Sequence, residues 1–169
     1  MTAEELYELV IEVFGARGEK TNTSALCVLQ KHADVLIGAI QNTPLQFKKE
    51  PTEHNDLRDA RENIDSSRGK GEWTGYHAEM LIVSALLNYV AIDTSQSTEN
   101  IKVALHEKVG DVSICADATC CKHCANMLDA LGINYYGGKG NAGLTGWWNP
   151  LTDNVAPNGS LEFAKDIPE

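Results

Sequence analysis

One stretch of the chain, apolar on nearly every side, limits the fold more than any other feature. It runs from His77 to Val90 and contains Met80, Leu81, Ile82, Val83, Ala85, Leu86 and Leu87. A helix without a polar face has to be covered all round, so this stretch predicts a helix buried within a layered domain. With 169 residues and a hydrophobic share of 43%, the chain is long enough to form such a core as one domain, residues 1–169.

The segments before this helix predict a helix, a hairpin and a loop. Ala3 to Phe14 carries an apolar stripe and predicts an amphipathic helix. Thr23 to Gln30 and Asp34 to Ile40 are two β-leaning runs close together, which predicts an antiparallel hairpin. Residues 43–76 are polar and hold prolines and glycines, so we expect a long loop in which Asp56 to Ile64 alone favours a helix.

The segments after the buried helix predict a strand, a helix and a strand. Val109 to Ala116 favours a buried strand, Cys121 to Leu131 a helix, and Ile133 to Tyr136 a further strand. Asn100 to His106 fits a helix and a strand equally well, and residues 137–169 form a tail rich in glycine and aromatic residues. Together these elements predict an α/β domain in which a mixed sheet of about five strands is flanked by helices.

Charge, hydropathy and cysteine content narrow the class of function. A formal net charge of -10 repels phosphate at long range, which disfavours nucleic acid as a substrate but leaves room for a local basic groove. No apolar run approaches the length of a membrane span, and the N-terminus lacks the pattern of a secretory signal. Three of the five cysteines lie within five positions, which favours metal ligation or reduced thiols, and hence a cytoplasmic site of action.

Two short motifs place metal-binding residue types at predicted helix starts. His77-Ala78-Glu79 opens the buried helix, and Cys121-Lys122-His123-Cys124 opens the later one. One imidazole and two thiolates predict a tetrahedral zinc site with its fourth position left to water, which is the open arrangement of a catalytic site. The partial positive charge of a helix N-terminus favours the thiolate form that binds metal. We therefore expect His77, Cys121 and Cys124 to hold Zn²⁺.

Glu79 is predicted to be the catalytic residue that moves protons. Zinc lowers the pKa of a bound water to about 7, which supplies a nucleophile for an sp² carbon that bears an amino group. Ammonia leaves only after a ring nitrogen and the amine have been protonated, so the site needs a carboxylate that takes up the proton of the water and passes it on. Glu79 follows His77 by two positions, and we assign it this role.

The two motifs together, His77-Ala78-Glu79 and Cys121-x-x-Cys124, resemble the paired signature of the zinc-dependent cytidine deaminase superfamily. The predicted order of elements across residues 3–136 is similar to the fold of that family. The resemblance implies a three-layer fold, Zn²⁺ as cofactor and hydrolytic deamination of a nucleobase. The family usually has proline where this chain has Cys120, so Cys120 stands as an alternative ligand to Cys121. The spacing between the motifs looks long for the family, which predicts an inserted element between Val90 and Gly110.

The resemblance also implies three substrate-binding residues. In the nucleic-acid branch of the family, an asparagine at the end of the second strand contacts the ribose, and Asn42 matches it, although Asn42 fits a turn before Pro44 equally well. The tail resembles that of deaminase domains at the C-termini of bacterial polymorphic toxins, which act on DNA or RNA in a rival cell. Trp147 and Trp148 would then stack on a base, with packing in the core as the alternative.

Three functions follow from these residues. The first is conversion of cytosine to uracil in single-stranded DNA or RNA by a toxin-like domain that is delivered into a target cell and has an immunity protein as partner. The second is deamination of a free base, nucleoside or nucleoside-like molecule, which the acidic composition favours. The third is a binding module in which zinc is only a structural pin, and the presence of Glu79 argues against it. The sequence leaves open which base is the substrate.

Overall fold

A computed structural model of the protein describes residues 2–15, 23–41, 46–49, 77–136 and 147–151. The helices within these ranges are α1 (Ala3–Phe14), α2 (Ala78–Tyr89), α3 (Thr98–Val109) and α4 (Lys122–Ala130). The strands within them are β1 (Ser24–Leu29), β2 (His32–Ile40), β3 (Gln46–Lys49), β4 (Val112–Ala116) and β5 (Asn134–Tyr135). None of the helices in these ranges is both long and apolar enough to cross a membrane.

The strands form one mixed sheet in the order β3-β2-β1-β4-β5. The three pairs among β3, β2, β1 and β4 are antiparallel, and β4 runs parallel to β5. A parallel pair needs a crossover connection, which α4 provides here. The predicted α/β class with a mixed five-stranded sheet flanked by helices is confirmed, and it is compatible with a cytidine deaminase-like fold.

Side chains of the sheet alternate between two faces, and helices cover both. On one face, Leu26, Leu36 and Cys115 pack against the apolar stripe of α1. On the other face, residues such as Cys27 and Ile37 pack against α2, α3 and α4. This alternation is the period-two pattern of strands, and it produces the expected three layers. α1 itself begins with a capping box in which Thr2 and Glu5 exchange hydrogen bonds.

The helix α2 lies at the centre of the larger core. Every residue of α2 except Asn88 is buried, as its apolar surface on all sides predicts. Its N-cap is His77, one position before the first helical residue. The buried helix α2 therefore starts directly after His77, a residue predicted to bind metal.

Several boundaries differ from those that the sequence predicts. The hairpin is tighter, because β2 begins at His32 and only Gln30 and Lys31 connect the strands. The ambiguous segment is the helix α3, capped by the Ser97 side chain and lying where an inserted element was expected. Since α3 extends to Val109, β4 starts three residues later than predicted.

The predicted long loop over residues 43–76 contains a strand, β3, that the sequence pattern did not indicate. Residues Gln46–Lys49 pair with β2 as the edge strand of the sheet. A short edge strand rich in polar residues lacks the apolar alternation by which strands are recognised, so it resembles a loop in sequence. The helix predicted for Asp56 to Ile64 lies outside the described residues, and so does most of the tail. The extent of the single domain, residues 1–169, stays a prediction.

Candidate metal centre

The N-termini of α2 and α4 place three potential metal ligands next to one another. His77 is the N-cap of α2 and Cys121 is the N-cap of α4, each with an extended backbone that directs the chain into its helix. Cys124 lies in the first turn of α4, and its backbone N–H donates to the Cys121 sulfur at 3.4 Å. Both helices contribute the positive end of their dipole, which stabilises thiolates at this position.

The geometry of the three ligand atoms fits a tetrahedral metal ion. The Nδ1 atom of His77 lies 3.4 Å from the Cys121 sulfur and 3.3 Å from the Cys124 sulfur. With Zn–N and Zn–S bonds of about 2.05 and 2.3 Å, a tetrahedral site separates nitrogen from sulfur by about 3.6 Å. All three ligand atoms lie within 4.8 Å of one another. His77, Cys121 and Cys124 are therefore close enough to bind one metal ion.

Burial shifts the pKa values of His77 and Cys124 in opposite directions. Burial lowers the pKa of His77, and the charge of His123 lowers it further, so the imidazole stays neutral as a metal ligand must. Burial raises the pKa of the Cys124 thiol, and the nearby Glu79 carboxylate adds to this rise. The buried Cys124 thiol lies beside a carboxylate and can become a thiolate only if a cation compensates its charge, so this donor set is suited to a divalent ion.

Glu79 lies in the first turn of α2 with only 3% of its surface exposed. Burial raises the pKa of its carboxyl group, and the charge of Asp117 raises it further. The thiol of Cys120 is hydrogen bonded to the Glu79 side chain. Among the described residues, the three-ligand cluster contains Cys121 and not Cys120. Cys120 thus contacts the predicted proton carrier instead of completing the metal site.

A small polar cavity opens at the edge of the sheet where β2 and β4 end and β1 begins. Its volume is about 110 Å³, and the residues that line it are Thr23, Gln41, His77, Ala78, Glu79, Thr119 and Cys121. The Gln41 side-chain oxygen accepts the backbone N–H of Thr23 at 3.2 Å, which ties two of these residues together. The cavity therefore places hydroxyl and amide groups beside the carboxylate and the ligand cluster.

Asp117 fixes this edge of the sheet. Its carboxylate accepts the backbone N–H of Ser24 at 3.1 Å, and its own N–H donates to the Ser24 carbonyl at 3.0 Å. These two bonds join the end of β4 to the start of β1, and Asp117 is itself buried. The positions of Thr23 and Thr119 in the cavity wall depend on this connection, because each lies within two residues of it.

The residues predicted to bind substrate have different positions. Asn42 lies outside the described residues. Trp148 is 7% exposed and packs in the larger core, and its stacking on a base stays a prediction. The indole N–H of Trp147 donates to the Cys124 sulfur at 3.3 Å. Trp147 therefore contacts a predicted metal ligand.

Sequence reasoning missed three residues of the cavity wall and the role of Cys120. Thr23 directly precedes β1, Gln41 directly follows β2, and Thr119 lies three residues after β4. Polar residues near strand ends are the signal that could have indicated them. The contact between Cys120 and Glu79 joins two helix starts and leaves no pattern in the sequence.

No protein-family model, no curated protein and no solved structure gives a significant match to this chain. The class of protein therefore follows from the fold and the site. It is an α/β domain that carries a candidate His-Cys-Cys metal centre beside a buried carboxylate.

Proposed function

We propose that this protein is a zinc-dependent hydrolase that deaminates nucleobases. The observation that carries the proposal is the position of Glu79, buried beside a three-ligand cluster and lining the same cavity as His77 and Cys121. A purely structural zinc site takes four protein ligands and needs no carboxylate next to it. Among the described residues, the cluster has three ligands, which leaves one tetrahedral position for a reactant.

The residues of the site have distinct roles in this reaction. When bound, zinc supplies a Lewis acid that makes a water molecule acidic near neutral pH. Glu79 would accept the proton that the attacking water releases and pass it to the ring nitrogen. A second proton, from the hydroxyl group that the water leaves on the carbon, would then pass through Glu79 to the departing amine. Burial raises the pKa of the Glu79 carboxyl group above its ordinary value, which favours a group that holds a proton as well as releasing one.

The surrounding residues influence the proton carrier. The Cys120 thiol interacts with the Glu79 side chain. Asp117 raises the pKa of Glu79 through its charge and also anchors the sheet edge beneath the cavity. The burial of an ionisable carboxylate costs free energy, and this cost argues for catalysis and against a binding module that uses zinc only as a pin.

The substrate we propose is cytosine in single-stranded DNA or RNA, acted on in the cytoplasm of a target cell by a toxin-like domain with an immunity partner. The cavity of about 110 Å³ is smaller than the roughly 300 Å³ at which ligand pockets usually begin. Such a volume suits a single base turned out of its strand, with sugar and phosphate left outside. This proposal also draws on the resemblance of the motifs to nucleic-acid deaminases.

A free base, nucleoside or nucleoside-like molecule is the second candidate substrate. The net charge of -10 favours it, because an acidic surface slows the approach of a polyanion. Steric access separates the two candidates: a polynucleotide needs an open groove beside the cavity, whereas a small molecule does not.

The proposal is tested by incubating the zinc-loaded full chain with single-stranded DNA, double-stranded DNA, RNA and cytidine. Base-resolved sequencing detects cytosine-to-uracil changes, and ammonia release reports deamination of any of these substrates. We expect conversion in a single-stranded polymer and none with Glu79→Gln. Release of ammonia from cytidine alone would support the second candidate. No ammonia from any of these substrates, with zinc bound, would count against the proposed deaminase.

A further inference from the structure

The indole of Trp147 is held against the metal-binding helix by two contacts. Its Nε1–H donates to the Cys124 sulfur at 3.3 Å, across 23 positions of sequence. Its ring lies 5.5 Å from the His123 ring at an interplanar angle of 36°. Trp147 therefore contacts the first turn of α4, and the polar edge of its indole faces a ligand residue.

The sulfur of Cys124 lies between two nitrogen atoms. The Nδ1 atom of His77 is 3.3 Å away, and the indole nitrogen of Trp147 is also 3.3 Å away. Cys124 itself has no exposed surface, so a donor supplied by the protein takes the place that water has at an exposed thiolate. A tryptophan N–H only donates, so the sulfur must be the acceptor.

A hydrogen bond to a thiolate ligand changes what that ligand gives to a metal ion. The donated proton withdraws charge from the sulfur, which reduces the electron density available for the metal–sulfur bond and leaves the metal a stronger Lewis acid. Such outer contacts also fix the direction of the ligand, and the loss of one typically costs about 10- to 100-fold in metal affinity or activity.

We propose that Trp147 is a positioning residue of the metal centre, whose indole N–H orients the Cys124 sulfur and withdraws charge from it. This assignment replaces the stacking role expected from the sequence. It rests on the metal site of the proposed function and is independent of which substrate is deaminated.

Cobalt(II) binding tests the proposal without an activity assay, because thiolate ligands of Co²⁺ give a sulfur-to-metal charge-transfer band whose energy depends on the charge of the sulfur. We expect the Trp147→Phe band to lie at longer wavelength than that of the unaltered protein. We also expect Zn²⁺ affinity, measured by competition with a chromophoric chelator, to fall by about tenfold. An unchanged band position together with unchanged affinity would overturn the proposal.

Two further variants separate the hydrogen bond from packing. Replacement of the Trp147 indole by benzothiophene, using an unnatural amino acid, keeps the shape of the ring and removes the N–H, so the band should shift although the fold is preserved. Leu131→Ala removes a buried side chain at the far end of α4 and should lower stability without a shift. An equal shift in Leu131→Ala would show that loosening of the helix moves the band, and would overturn the role of the N–H.

The same titration distinguishes failure of this inference from failure of the proposed function. A charge-transfer band in the unaltered protein establishes thiolate ligation, so an unshifted variant then overturns the role of Trp147 alone. Absence of the band in the unaltered protein overturns the metal centre, and the inference about Trp147 with it.

Discussion

The Nδ1 atom of His77 lies 3.3 Å from the sulfur of Cys124, although 47 positions of sequence separate the two residues. His77 is the N-cap of α2 and Cys124 lies in the first turn of α4, and both helices start at the same edge of the sheet. The three potential ligands form one cluster only because the starts of α2 and α4 lie next to each other in the fold. The cluster lies beside the buried carboxylate of Glu79, because His77, Cys121 and Glu79 line the same cavity.

Glu79→Gln should abolish deamination without loss of metal. The amide keeps the shape of the side chain but cannot carry the proton, so the rate should fall by about 10²- to 10⁴-fold. The measurement is ammonia release beside metal analysis of the same preparation. Glu99→Gln is the matched control, since Glu99 also lies in the first turn of a helix but is exposed. Unchanged activity in Glu79→Gln would remove this residue from the mechanism.

Two adjacent cysteines should respond differently to the same substitution. Cys121→Ser should reduce zinc affinity by more than about 100-fold, because it removes a ligand rather than an outer contact. Cys120→Ser should keep the metal, since Cys120 contacts Glu79 and a hydroxyl can replace the thiol in that contact. Zinc content after dialysis distinguishes the two variants. The reverse result would make Cys120 the ligand.

Removal of the metal should lower the thermal stability of the protein. A ligand present at about 100 times its dissociation constant stabilises the folded state by about 2.7 kcal/mol, which corresponds to a Tm change of about 5 to 11 °C for a chain of this size. Calorimetry with and without a chelator measures the shift. Cys121→Ser is the control and should show no chelator effect; an equal shift in this variant would mean that the chelator acts elsewhere.

The buried thiol of Cys115 should make stability fall at alkaline pH. Burial, with smaller contributions from Asp117 and Glu79, raises its pKa from an ordinary value of 9.0 to about 12. The folded protein keeps a proton that the unfolded chain releases above about pH 9, so the free energy of unfolding falls as pH rises from 9 towards 12. The slope for one thiol is at most about 1.4 kcal/mol per pH unit.

Urea denaturation of zinc-saturated protein between pH 8 and about pH 10.5 tests this slope. Cys115→Ala lacks the thiol, so its stability should fall less steeply with pH than that of the unaltered protein, whatever its stability at pH 8. Parallel curves for the two proteins would show that Cys115 ionises equally in the folded and unfolded states.

The sequence predicts an element accurately when the pattern of apolar side chains along it matches the face that the fold buries. α1 has exactly the predicted bounds because its apolar stripe and its capping residues agree, and α2 differs by one residue at each end. The sequence signal is weaker for β3 and α3. β3 is a polar edge strand, and α3 is a mostly exposed helix whose buried stripe is narrow, consisting of Ile101, Leu105 and Val109. Tertiary pairing and packing stabilise both, and neither is visible in a short window of sequence.

The sequence by itself determined the α/β class, the buried helix and the residue types of the candidate metal centre. These three features depend on hydrophobic periodicity and on motifs a few residues long. Both can be recognised from neighbouring residues in the sequence, without knowledge of the tertiary structure. Only the tertiary structure decided that Cys121 joins His77 and Cys124 while Cys120 contacts Glu79, and that Trp147 donates to a ligand sulfur. Those contacts join residues far apart in sequence, and their geometry is fixed by how the helices pack on the sheet.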